Sequence, residues 1–202
     1  MTSRFSLFLL IAILGATASP TDAQAQARSS TDGLFLHARA GGHGVAFEDA
    51  GDDTGGSIGL RLGYGLSDHL TLFVGAEGGS LDGGSRLQGL DGQDDSGVVY
   101  LEAGGRLHIL PRQRLVPYVD AAFAVVGAGA DRDGGDVAYA GLGGSLGLGA
   151  LYFVSPTIAL EGGATFTPGV YRDREIGDVE TDVDIGVAGV RMHVGFSVYP
   201  FR

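Results

Sequence analysis

The sequence predicts an all-β fold, an eight-stranded antiparallel up-and-down transmembrane β-barrel, on three observations. Apolar side chains recur with period two in eight segments, and no stretch after the N-terminus holds a convincing helical period. The connections between these segments are alternately short and long, the layout of an up-and-down barrel. The face opposite the apolar one carries equal numbers of arginines and carboxylates.

Residues 1–27 are expected to be a signal peptide outside the fold. Arg4 gives a basic start, and the apolar run Phe5 to Leu14 is far shorter than a membrane-spanning helix requires. Ala16-Thr17-Ala18, Ala23-Gln24-Ala25 and Ala25-Gln26-Ala27 fit the small-x-small cleavage pattern, and cleavage is expected after Ala25 or Ala27. Residues 28–202 then form one barrel domain. The absence of cysteine excludes a cysteine-linked lipid anchor and any disulfide. The 37 glycines follow no collagen-like triplet, and every basic residue is arginine.

The first strand runs from about Leu34 to Phe47, with Leu34, Leu36, Ala38 and Ala40 on one face and His37, Arg39 and His43 on the other. Two arms around Ser67-Asp68-His69 follow. Leu60, Leu62, Tyr64 and Leu66 alternate with Arg61, Gly63 and Gly65, and Leu70, Leu72, Val74 and Ala76 alternate with Thr71, Phe73, Gly75 and Glu77. The fourth sets Val99, Leu101, Ala103, Leu107 and Ile109 against Tyr100, Glu102, Arg106 and His108. The fifth sets Val119, Ala121, Phe123 and Val125 against Tyr118, Asp120, Ala122 and Ala124. In the sixth, Leu142, Leu146, Leu148, Ala150 and Tyr152 alternate with glycine and Ser145. The seventh sets Ile158, Leu160, Ala164 and Phe166 against Glu161, Gly163 and Thr165. The last sets Val190, Met192, Val194, Phe196 and Val198 against Arg191, His193 and Ser197. Val183, Ile185 and Val187 have the opposite parity, which predicts a bulge near Ala188-Gly189 or a half that projects beyond the membrane.

Alternation alone does not say which face points inward. The strand charges decide it. Arg39, Arg61, Arg106 and Arg191 are matched by Glu77, Glu102, Asp120 and Glu161. A solvated face has little need for such balance, whereas a closed lumen does, because a buried charge without a partner is costly. The apolar face is therefore set against lipid, and glycine and serine leave room inside for the arginines. The three-residue turn pairs Leu66 with Leu70, so Arg61 faces Gly75, with Glu77 as its expected diagonal ion partner. A five-residue turn centred on Gln113 sets Arg106 opposite Asp120. Tyr64 and Tyr152 lie on the outward face near short turns, as an interfacial girdle requires, and Tyr100, Tyr118 and Tyr199 are further candidates.

Four longer connections, including EDAGDD, LDGGSRLQGLDGQDDSG, GADRDGGD and PGVYRDREIGDVETD, hold almost all of the net charge of −11. An acidic rim repels nucleic acid, which excludes that class of partner, and it suits divalent cations or plain solvation.

The hairpin LGYGLSDHLTLFVGAEGG, the runs LVPYVDAAFAVVGAG and ALYFVSPTIALEGG, and the closing RMHVGFSVYPFR resemble one family. It is the small eight-stranded outer-membrane barrels of Gram-negative bacteria, the OmpA/OmpX-like group, and the resemblance extends over residues 30–202. It implies residence in the bacterial outer membrane as a monomer, among outer-membrane lipid and lipopolysaccharide. It also implies insertion by the barrel-assembly machinery, which reads a terminal aromatic. Phe196, Tyr199 and Phe201 are the residues expected to supply that signal, although Phe201 is followed by Arg202. The implied role is structural, in envelope integrity or surface interaction, with the lumen plugged by the charged side chains. The alternatives are a narrow channel for small or hydrophobic solutes and a lipid A-modifying enzyme.

No catalytic residue, metal site or cofactor is expected. His193 and Ser197 share the lumen parity, away from the lipid a deacylase would need to reach. His37, His43, His108 and His193 lack zinc-ligand spacing on any one element. DRDGGD, residues 131–136, lacks the full spacing of a calcium loop, and the glycines around Gly141 to Gly144 are followed by no lysine.

Overall fold

Period-two patterning with short turns gives strands that can pair only with their neighbours in sequence, and the ring closes when the last meets the first. The computed structural model describes residues 31–48, 51–82, 96–130, 137–176 and 179–200. Its strands are β1 (Gly33–Phe47), β2 (Gly51–Gly65), β3 (Leu70–Leu81), β4 (Ser96–His108), β5 (Leu115–Ala130), β6 (Val137–Phe153), β7 (Ile158–Ile176) and β8 (Val179–Val198). They form one closed antiparallel barrel in chain order. Closure runs from Leu36 opposite Val198 to Phe47 opposite Val187. The expected signal peptide lies outside the described residues.

The short turns follow from their serines. Ser67 Oγ accepts from the backbone N–H of His69 and Leu70 at 3.3 and 3.2 Å. Ser155 Oγ repeats this with Thr157 and Ile158 at 3.3 and 3.1 Å. A hydroxyl two and three residues ahead of its donors closes each hairpin the same way. The middle turn instead uses Arg112 at φ 65°. Side chains then stitch this end together. Arg112 is paired with Asp68, and the Arg114 guanidinium lies 4.8 Å from the Tyr152 ring centre.

At the other end two expected loops prove to be strand. The β1–β2 connection is only residues 48–50, and the β7–β8 connection only 177–178, so half of EDAGDD and most of PGVYRDREIGDVETD belong to ladders. Their charge and glycine content suit water, but cross-strand hydrogen bonds hold them extended.

No bulge occurs at Ala188-Gly189, because Val187, Ala188, Gly189 and Val190 pair in unbroken register with Gly169, Pro168, Thr167 and Phe166. The register steps lie higher, at Arg172, where the ladders with both β6 and β8 shift. Val183, Ile185 and Val187 change parity for another reason. Val187 is buried inside the barrel, and Val183 and Ile185 pack against the same inner cluster.

Exposure settles which face is which. Leu62 and Leu72 are 48% and 49% exposed and Phe123 85%, whereas Arg61, Arg106 and Arg191 are 2%, 1% and 0%. A greasy exterior around buried charge is the inversion that lipid imposes. The interior has three levels. An apolar cluster around Phe35, Phe73, Val116, Leu151, Phe153 and Tyr199 fills the short-turn end. Another, around Val45, Phe47, Leu81, Val98, Tyr139 and Tyr171, fills the long end. The charges lie between them. Aliphatic and aromatic side chains thus occupy much of the lumen that glycine and serine were expected to fill.

Candidate functional site: the charged layer of the lumen

Inward parity on seven neighbouring strands delivers the eight charged side chains to the middle level, each at most 6% exposed. The glycines between them are seats. A Cβ on Gly75 would stand 2.6 Å from Cγ of Arg61, and one on Gly59 would stand 3.1 Å from Nε of Arg39. A Cβ on Gly163 would meet the Tyr118 hydroxyl at 2.8 Å, and one on Gly189 the Tyr100 hydroxyl at 2.6 Å. Long side chains lie flat over bare backbone, which is how a narrow barrel accommodates four guanidinium groups.

The charges form a single connected network. Arg106 bridges Glu161 and Asp120, both at 2.8 Å. Arg61 continues from Asp120 at 2.7 Å to Glu102 at 2.8 Å. Arg39 and Arg191 each touch both Glu102 and Glu77, closing a four-membered ring, with Arg39–Glu102 at 3.3 Å and Arg191–Glu77 at 3.2 Å. Neutral donors saturate the remaining carboxylate oxygens. Tyr118 donates to Glu161 at 2.6 Å, Ser197 to Glu161 at 3.0 Å, Ser57 to Glu77 at 2.7 Å and Ser145 to Glu102 at 2.8 Å. Three arginines also stack on inward rings: Arg106 on Tyr118 at 3.6 Å, Arg191 on Tyr100 at 4.1 Å and Arg61 on Phe73 at 4.4 Å.

Arg106 stands opposite Asp120, as the turn arithmetic requires. Arg61 stands opposite Gly75, also as required, yet it does not pair with Glu77. Of its two diagonal neighbours on β3, Arg61 stacks on Phe73, which directs its guanidinium across the lumen to β4 and β5. Glu77 instead meets Arg39 and Arg191. Tyr100, Tyr118 and Tyr199 are inward and buried, so they are not girdle residues, while Tyr64 and Tyr152 face outward. Tyr199 packs between Phe35 and Phe153 at 5.8 and 5.7 Å between ring centres. Phe196 faces outward, and Phe201 lies outside the described residues. The hydroxyl partners Ser57, Ser145, Tyr118 and Ser197 had a legible signal, the same inward parity as the charges.

The layer is formally neutral and each of its eight charges meets an opposite one. Nε and Nη1 of Arg39 and the Nε atoms of Arg61 and Arg191 are buried with no hydrogen-bond partner among the described residues. His37 and His193 approach Glu161 at 3.5 and 3.7 Å inside the barrel, and Ser197 is bound to that same carboxylate. Among the described residues, no group of three histidine, aspartate or glutamate side chains is arranged to hold a metal ion.

Comparison with known proteins agrees with this geometry. Residues 8–196 match the family model of the outer membrane protein beta-barrel domain. Neisserial surface protein A superposes with TM-score 0.63 at 19% identity, over 83% of this chain and 97% of that one. Outer membrane protein AlkL, solved in lipid bilayers, gives TM-score 0.53 at 15% identity over 89% and 96%. Ail, the attachment invasion locus protein of Yersinia pestis, gives 0.51 at 10% over 83% and 99%. No curated protein sequence matches the chain. The chain belongs to the outer membrane protein β-barrel family, and it is an integral protein of the bacterial outer membrane in contact with lipid.

Proposed function

From that membership and the charge-balanced lumen, we propose that the protein is a non-conducting, non-enzymatic monomer with a structural or surface-contact role in the envelope. The single observation that supports this reading is the closed accounting of charge, four arginines against four carboxylates in one buried network. A permeant ion would have to break buried ion pairs, and above and below it would meet apolar side chains. The inward placement of His193 and Ser197 supports the absence of lipid hydrolysis. The short turns face the periplasm and the long, acidic ends face outward, next to lipopolysaccharide. Insertion proceeds through the barrel-assembly machinery, with the aromatic residues near the C-terminus of β8 as its signal.

Reconstitution into planar bilayers tests the reading. The expected record is a flat baseline at moderate voltage, and stable unitary steps would overturn it in favour of a narrow channel.

A further inference from the structure

The barrel wall is uneven at its long end. β7 and β8 are the longest strands, with 19 and 20 residues, whereas β1 and β2 have 15 each. β1 pairs with β8 only as far as Phe47 opposite Val187. One further contact follows, in which Glu48 accepts from the N–H of Gly186 at 3.2 Å through its carboxylate and donates its own N–H to the carbonyl of Gly186 at 2.8 Å. Beyond it, Ile185 and residues 179–182 pair with β7 alone, on either side of the register step at Val183-Asp184. On the other side, among the described residues, no strand takes up their remaining backbone donors and acceptors. An open edge of this kind is a template for an added strand.

The edge is also strongly acidic. Glu180, Asp182 and Asp184 are exposed along it, and of these Asp184 lies 3.9 Å from the exposed Arg172 of β7. Behind them Asp173 stands directly opposite Asp182, and Glu175 directly opposite Glu180. Two copies of this edge would bring carboxylates together, so a second copy of the chain is an unfavourable occupant.

We infer that residues 179–185 of β8 are a docking edge for an extended, lysine- or arginine-rich segment of another polypeptide, which adds as a strand beside β8. Backbone hydrogen bonds supply the register, and the rows of carboxylates select a cationic partner over a neutral or acidic one. That the partner reaches this edge from outside the cell rests on the outward topology proposed above.

The test uses the full chain in lipid nanodiscs and two eight-residue probes, one alternating lysine with threonine and the other alternating glutamate with threonine. The lysine probe is expected to protect the amides of residues 179–185 from hydrogen exchange, with affinity falling as salt rises. In the variant E180Q/D182N, whose changes are on exposed side chains and leave the packed interior intact, affinity for the lysine probe should fall about tenfold or more. Equal protection by the glutamate probe, binding without new protection of residues 179–185, or protection by calcium alone at millimolar concentration would each overturn the inference. The topology is checked separately by proteolysis of intact cells. If the β7–β8 hairpin is not cleaved there although the nanodisc result holds, the outward reading fails and the docking edge survives.

Discussion

Two cross-strand pairs show how differently this molecule treats charge in its two environments. In the lumen Arg106 stands opposite Asp120, buried and doubly hydrogen-bonded. On the projecting β7–β8 ribbon Asp173 stands opposite Asp182, exposed and of the same sign. Both are antiparallel neighbours at similar backbone separation. What differs is the solvent. Within the barrel an uncompensated charge costs several kcal/mol, roughly, so every sign is answered. In water the same mismatch costs only about 0.2–1 kcal/mol, and salt screens it, so like charges can face each other.

The sharpest way to break the contrast is Arg106→Leu, which among the described residues takes the sole arginine from Glu161 and one of two from Asp120. A loss of about 3–5 kcal/mol is expected in urea unfolding from liposomes, or failure to reach the folded, heat-modifiable form. Replacing Arg106 and Glu161 together by leucine should recover much of that loss, because no charge is then stranded. Double-mutant cycles sharpen the comparison within the lumen. Arg61 and Asp120 should couple by about 1–3 kcal/mol, while Arg61 and Glu77 should couple by less than about 0.5 kcal/mol. Adjacent glycines test the seats. Gly163→Ala should cost about 1–3 kcal/mol, because its Cβ would stand 2.8 Å from both the Leu148 carbonyl and the Tyr118 hydroxyl. Gly162→Ala, whose Cβ meets nothing within 4 Å, should be nearly silent in the same assay. Smallest is Asp173→Asn on the ribbon, expected to stabilise the hairpin by about 0.2–1 kcal/mol at low salt and by nothing measurable at high salt, read from local hydrogen exchange.

Much of this architecture was legible because hairpin register is arithmetic. A serine turn fixes Arg61 opposite Gly75, and alternation then assigns a face to every residue down to Gly59. Apart from Arg106 and Asp120, the ion partners were not legible, because an arginine can reach several strands and its choice depends on what lies beneath it, here Phe73 for Arg61. The rule that apolar means outward also has a limited domain. It fails at Val183, Ile185 and Val187, where the interior itself becomes apolar, and it fails for Tyr100, whose ring supports Arg191. Residues 168–182 resemble a loop because their charge belongs in water, yet a ladder needs only backbone, and composition does not report it.

The inward glycines imply an unusual pattern of mutational tolerance. In most proteins truncation of a large side chain does the harm, and alanine is the mild probe. Here a single methyl group added beneath Tyr118 or Tyr100 would lift a ring off its support and disturb the guanidinium resting on it. A scan built to find what this chain cannot lose should therefore begin with what it cannot gain.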